Sequence, residues 1–143
     1  MTIDVREARG DTERAAAMAI RRAVFVDEQD VPVKLELDGR DDDAVHLVAV
    51  RDGEVVATCR LLGHGATVHL GRLAVDARAR RQGIAALLLR AAEAWAREHR
   101  AQRLALSAQT YAAALYAAAG YAAVGEPYME AGIEHVDMEL DLG

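Results

Sequence analysis

Val68-His69-Leu70-Gly71-Arg72-Leu73-Ala74-Val75 runs directly into Asp76-Ala77-Arg78-Ala79-Arg80-Arg81-Gln82-Gly83-Ile84-Ala85, and the reading of these residues decides the fold. The first eight are rich in β-branched and apolar residues and predict a strand. Beyond Gly83, Ile84, Leu87, Leu88, Ala91, Ala92 and Trp95 recur at intervals of three and four, which predicts an amphipathic helix packed on a sheet. A short basic loop joins the two. The first amides of a helix have no internal partner and sit at the positive end of its dipole, so this junction is suited to an anion. Gly83 and the small Ala85 let a ligand approach the backbone, and Arg80 and Arg81 add positive charge. A pyrophosphate fits that description. The junction has neither the P-loop lysine nor the three glycines of a dinucleotide fingerprint.

The remainder of the chain limits what such a junction can serve. The 143 residues, 52% hydrophobic and 28% charged, fit one globular domain over 1–143 with a full core. No segment has the apolar run of a signal peptide or a membrane span, and the single Cys59 fits a reducing compartment, so the expected location is cytoplasmic without membrane association. Cys59 lies mid-strand and reads as a small buried hydrophobe. A formal net charge of −6 argues against nucleic-acid binding and for a local anion site at Arg78, Arg80 and Arg81. His46, His64, His69 and His135 have no ligand-like spacing, and no metal is expected.

Along the chain, Thr2 to Val5 predicts a first strand, and a helix capped by Asp11 or Thr12 follows to about Phe25. Pro32 halts regular structure. Leu35 to Asp43 has too many turn formers and like charges for a core element; it reads as a solvated connection or as a loop that recognises a cationic amine. Val45–Val50 and Val55–Leu62 are strands joined through Asp52-Gly53, and with the strand from Thr67 they should form an antiparallel meander. The crossover helix returns to Arg103–Gln109, which must lie parallel to the strand before it. A crevice opens where such a parallel pair diverges. Thr110 begins a helix over Tyr111–Ala119, Tyr121–Val124 is a short strand, Gly125-Glu126-Pro127 a turn, and Glu134–Leu142 an alternating last strand. That acidic strand reads as an exposed edge, which leaves a homodimer open.

Arg80-Arg81-Gln82-Gly83-Ile84-Ala85 resembles the acyl-CoA-binding signature of the GNAT superfamily of N-acetyltransferases, and the order of elements resembles that fold over nearly the whole chain. Arg22–Gln29, Glu36–Asp41, Ala44–His46, Gly71–Val75, Ala108-Gln109 and Gly132–His135 resemble the ElaA-like group more narrowly. The resemblance implies an α/β fold with a mixed, mostly antiparallel twisted sheet, flanking helices and a splayed parallel strand pair. It further implies an acetyl-CoA-dependent N-acetyltransferase acting on a small-molecule or peptide amine. Leu73, Ala74 and Val75 would meet the pantetheine arm, and the amides of Gln82, Gly83, Ile84, Ala85 and Ala86 would hold the pyrophosphate with Arg80 and Arg81 assisting. Tyr116, in Leu115-Tyr116-Ala117-Ala118-Ala119-Gly120-Tyr121, would protonate the leaving thiol.

An amine with a lysine-like pKa of about 10.4 must lose a proton before it attacks a thioester. Glu36, Asp38, Glu130 and His135 are candidates for that step, and Gln29 and Gln109 for orienting the acceptor; no spacing selects among them. Two other readings stay open, a non-catalytic acyl-CoA sensor on the same fold and a domain holding another nucleotide phosphate.

Overall fold

The computed structural model describes residues 2–63 and 65–143. One seven-stranded sheet has the order β1-β2-β3-β4-β5-β7-β6. Its strands are β1 (Ile3–Glu7), β2 (Val45–Arg51), β3 (Glu54–Leu62), β4 (Thr67–Val75), β5 (Arg103–Gln109), β6 (Ala122–Glu130) and β7 (Ile133–Asp141). Among the described residues only the β4–β5 pairing is parallel. The helices are α1 (Gly10–Arg21), which continues as a π-helical segment over Arg22–Glu28, then α2 (Val33–Glu36), α3 (Ile84–Glu98) and α4 (Ala113–Ala118). This is the mixed sheet with helices on both faces that the sequence predicts.

α3 buries Ile84, Leu88, Leu89, Ala92 and Ala96 against Leu47, Cys59, Leu61, Leu70, Leu104 and Leu106 of the sheet. The buried stripe is rotated slightly from the predicted one: Leu87, Ala91 and Trp95 flank it, half-buried. On the opposite face α1 and the π-helical segment pack through Ile20 and Val24 against Ala74 of β4. No helix in the described chain is long and apolar enough to cross a membrane.

Several expectations are corrected. α1 begins after Arg9, and neither Asp11 nor Thr12 caps it; Glu13 instead reaches back to accept the Arg9 amide at 2.7 Å. Gly125-Glu126-Pro127 is not a turn between strands. It is a bulge inside β6, where the register shifts between Val124 and Tyr128, and Pro127, which has no N–H, is tolerated because β6 is an edge strand. The acidic last strand β7 is not an edge, since it pairs with β5 on one side and β6 on the other, so the strand-pairing dimer imagined for it has no free edge to use.

The largest departure is in the acidic stretch from Leu35 to Asp43: most of it is exposed, as a solvated connection would be, but Glu36, Asp38 and Asp41 are already taken by arginines. Arg21, 1% exposed, takes Glu36 in a two-pronged pair at 2.7 and 2.8 Å and reaches Asp41 at 2.7 Å. Arg60 of β3 grips Asp38 at 2.8 and 2.9 Å and Asp41 at 3.2 Å. Arg72 of β4 donates to the Leu35 and Glu36 carbonyls and to Asp38 at 3.4 Å. Three guanidinium groups thus neutralise three carboxylates from distant parts of the chain. Local sequence shows only the acids.

Burial alone would lower the Arg21 pKa, but the hydrogen bonds to Glu36 and Asp41 outweigh it and raise it. The Arg60 guanidinium holds Asp38 well below the ordinary carboxylate range. Asp41 is also lowered: burial pushes it up, and Arg21 and Arg60 outweigh that. Removing one member leaves a buried charge unpaired, so Arg21→Met should cost about 3–5 kcal/mol of stability in urea unfolding. Asp38 and Asp41 have folded pKa values below their ordinary 3.8. Their contribution is therefore complete above about pH 4 and is lost as pH falls through the folded values. The urea midpoint should drop as the protein is acidified below that point, and in Asp38→Asn the drop should be shallower.

Candidate functional site

β4 and β5 share only three register pairs, Thr67–His69 with Arg103–Ala105. β4 then bulges: Arg60 faces Gly71 but Thr58 faces Ala74, so Arg72 and Leu73 together oppose Cys59. Arg72 takes the left-handed φ of 54° that the extra residue demands. β5 meanwhile continues straight beside β7 to Gln109. The two strands part like a wedge, opening a cleft of about 1290 Å³ whose walls carry backbone with no strand partner on the open side.

At one end of the cleft stands the N-terminus of α3. Gly83 occupies its cap position with φ 76°, no side chain caps the helix, and no atom lies within 4 Å of where a Cβ would sit. The glycine is thus demanded by the backbone turn, and the amides of Ile84 to Ala86 open toward the cleft, whose lining includes those residues. Arg80 donates to the Val75 carbonyl at 3.1 Å and to Glu28 at 2.8 Å. Arg81 lines the cleft with no ion pair among the described residues. Arg78, grouped with them from the sequence, turns instead to Glu54 at 2.6 Å and is not part of the wall. The Gln82 side chain is also outside it, accepting from Arg51 at 2.7 Å.

Leu73, Ala74 and Val75 form the β4 wall. Across the cleft Tyr116 of α4 is 8% exposed, packs edge-on against Tyr121 with ring centroids 6.0 Å apart, and lends no hydrogen bond to another described residue. Burial, with a smaller contribution from Cys59, raises its hydroxyl pKa, so at neutral pH it is an intact O–H donor. Gln109 donates to Gln29 at 2.7 Å, and Gln29 to the Tyr111 hydroxyl at 3.2 Å. These amides tie the end of the π-helical segment to β5 across the wedge.

The candidate bases are dispersed. Glu36 lines the cleft but is 3% exposed and locked to Arg21. Asp38 is outside the lining, held by Arg60. His135 lies at the far end, its Nδ1 donating to the Ile133 carbonyl at 2.7 Å and its Nε2 at 3.9 Å from the exposed Glu130. His64 lies outside the described residues. Among those residues no group of three or more His, Cys, Asp or Glu is placed to hold a metal ion. The structure adds residues that the sequence reading did not select: Glu28, Arg72, and a linked set of Ser107, Tyr128 and Asp137 on the open sheet face. Alternation alone placed Asp137 on the polar side of β7, but its register with Ser107 is a tertiary fact.

Cys59, 1% exposed in β3, has its thiol pushed up to about 12 by burial alone. The native protein should therefore not react with iodoacetamide at pH 8, and a full equivalent should react once it is unfolded in urea. Rapid native labelling would place the thiol at the surface.

A family model described as an acetyltransferase (GNAT) domain matches residues 12–142. The Bacillus subtilis protein named "Uncharacterized N-acetyltransferase YjcF" is 32% identical over 136 residues, covering 94% of this chain and 96% of that one. Two solved structures superpose over nearly the whole chain. An acyl-CoA N-acyltransferase from Pseudomonas aeruginosa is 35% identical with a TM-score of 0.82, covering 97% and 98% of the two chains. Escherichia coli ElaA is 26% identical with a TM-score of 0.86, covering 98% and 100%.

Proposed function

The chain belongs to the GNAT acetyltransferase family, and from that premise we propose that it transfers the acetyl group of acetyl-CoA directly to a primary amine of a small molecule or peptide. The observation that carries the reading is the wedge between β4 and β5, with an uncapped helix N-terminus at one end and, on its wall, Tyr116, whose hydroxyl bonds to no other described residue. An extended pantetheine arm can pair with the free edge of β4 at Leu73 to Val75 as an added strand would. The amides of Gln82 to Ala86 receive the pyrophosphate, and Arg81, already unpaired, supplies a charge without first breaking a contact. Arg80 exchanges Glu28 for phosphate at the cost of one exposed ion pair.

The reaction asks two things of the protein. The thioester carbon must be attacked by an amine that has shed its proton, and the departing sulfur must be protonated. Tyr116 serves the second need. Its environment keeps the phenol protonated, and a neutral O–H on a largely buried side chain is a stronger donor to a developing thiolate than one in open water. Cys59 is buried in the core with a pKa of about 12, so transfer runs directly to the amine and not through an acetyl-cysteine. A hydroxyl bonded to no other described residue also favours an enzyme over a sensor, because a binding module has no use for a free proton donor on the cleft wall.

Calorimetric titration with acetyl-CoA, with ADP and NAD as controls, tests the site. Selective, saturable binding is expected. Gly83→Glu should abolish it through a carboxylate at the pyrophosphate position and a backbone strain of about 1–2 kcal/mol. Tyr116→Phe should leave that binding unchanged and lower turnover by about 10²-fold or more. Full turnover in Tyr116→Phe would remove the tyrosine from the mechanism, and unaltered binding in Gly83→Glu would move the site elsewhere.

A further inference from the structure

The wedge explains where a thioester sits, but two of the four candidate bases are already committed. Glu36 is committed to Arg21, and Asp38 is committed to Arg60 outside the cleft. The sheet surface beyond β4 offers a different arrangement. On β5, Ser107 lies directly opposite Asp137 of β7, and Tyr128 arrives beside them because the bulge in β6 shifts the register between Val124 and Tyr128. The Tyr128 hydroxyl bonds to both, to Asp137 Oδ1 at 2.6 Å and to Ser107 Oγ at close range. His135 is the register partner of Tyr128, its ring near parallel to the phenol with centroids 6.1 Å apart. Ser107 and Asp137 both line the cleft.

The direction of these bonds is fixed by chemistry. An ionised carboxylate only accepts, so Tyr128 must donate to Asp137. Having spent its proton there, the Tyr128 oxygen can only accept from Ser107. The Ser107 hydroxyl therefore donates away from the cleft and turns its lone pairs toward it. A hydroxyl so polarised is an acceptor for one N–H of an incoming amine, and it is backed by a continuous path to a carboxylate.

We propose that Ser107 holds the acceptor nitrogen, and that Ser107, Tyr128 and Asp137 form the path by which its proton leaves. The proposal rests on the acetyltransferase reading and names the acceptor side of that same site. The ammonium N–H bond breaks as a new O–H bond forms at Ser107. The original Ser107 proton passes to Tyr128, and the Tyr128 proton passes to Asp137. Both hydroxyls are restored, the carboxylate carries one proton, and the nitrogen keeps the lone pair that attacks the thioester carbonyl. The sulfur leaves with the electron pair of the broken C–S bond and takes the Tyr116 proton. Asp137 is exposed and returns its proton to solvent. Ser107 is then a catalytic residue, while Tyr128 and Asp137 are positioning residues that act through it.

The test uses the full chain and thiol release from acetyl-CoA, with putrescine, glucosamine and lysine as acceptors. Ser107→Ala and Tyr128→Phe should each lower kcat about 10²-fold with the KM for acetyl-CoA unchanged. Ser107→Thr, which keeps the hydroxyl, should restore most of the rate. The double variant should be no slower than either single one, because one path can be cut only once. Full turnover in either single variant, or losses that multiply, would overturn the path.

A second measurement needs no acceptor: ultraviolet titration of the phenols, with Tyr128→Phe identifying the band. The charged and titratable groups around that phenol are Asp137, Glu130 and His135, with Ser107 its neutral partner. Tyr128 should ionise above its ordinary range, and closer to it in Asp137→Asn. Identical titration in the two proteins would overturn the path independently of turnover. Acetyl-CoA that fails to bind the wild type would sink the transferase reading itself, whereas normal binding with full turnover in Ser107→Ala would sink the proton path alone.

Discussion

The proposed site depends on β4 and β5 ceasing to pair after three residues. A sheet normally satisfies its backbone donors and acceptors across every ladder, and an interior strand with an open edge is costly unless water or a ligand completes it. Here each strand keeps a ladder on its other side, β4 with β3 across the bulge and β5 with β7 throughout, so the wedge is held open by paired neighbours. The bulge at Arg72 and Leu73 is the device. One extra residue against Cys59 turns the end of β4 away from β5 and aims it at the α3 loop, which places a free strand edge and a free helix end on one line.

The bulge has a second consequence. By placing Arg72 in a left-handed conformation it presents the guanidinium to the carbonyls of Leu35 and Glu36, joining β4 to the acidic segment over the cleft. Arg21 and Arg60 fix the same segment from α1 and β3. A buried ion cluster is a poor source of net stability compared with apolar packing, but its geometry tolerates little variation. What it gives this wall is a single position. Three acids of the stretch with the greatest density of negative charge in the sequence, Glu36, Asp38 and Asp41, are consequently committed to internal arginines.

The contrast between what sequence showed and hid follows from the range of each interaction. Gly83, Ile84 and the spacing of α3 were legible because a helix start and its apolar stripe are local, and the position of Tyr116 before Gly120 was legible through a family resemblance. The bases were not. Glu36 and Asp38 looked available because their partners Arg21 and Arg60 lie 15 and 22 residues away in sequence. β7 looked like an edge because alternation reports faces but not neighbours, and the Gly125-Pro127 signal is the same for a turn as for an edge bulge. Ser107 had no signal of its own, since a lone serine on a strand becomes informative only when register sets it opposite Asp137 and a bulge brings in Tyr128.

Charge distribution along the cleft completes the logic. The chain carries a formal net charge of −6, and a pyrophosphate-bearing ligand would be repelled by such a body at long range. At physiological salt, however, fields decay over about 8 Å, so the local arrangement governs what is held there. At the α3 end the local groups are helix amides and Arg81. On the β6 and β7 side they are Glu130, Asp137 and Glu139, none of them paired to an arginine among the described residues. The acids that would have weakened the positive end are those already bound within the Arg21, Arg60 and Arg72 cluster. Internal neutralisation of one acidic region thus leaves the cleft with helix amides and an unpaired arginine at the α3 end and acids free of arginine at the β6 and β7 end.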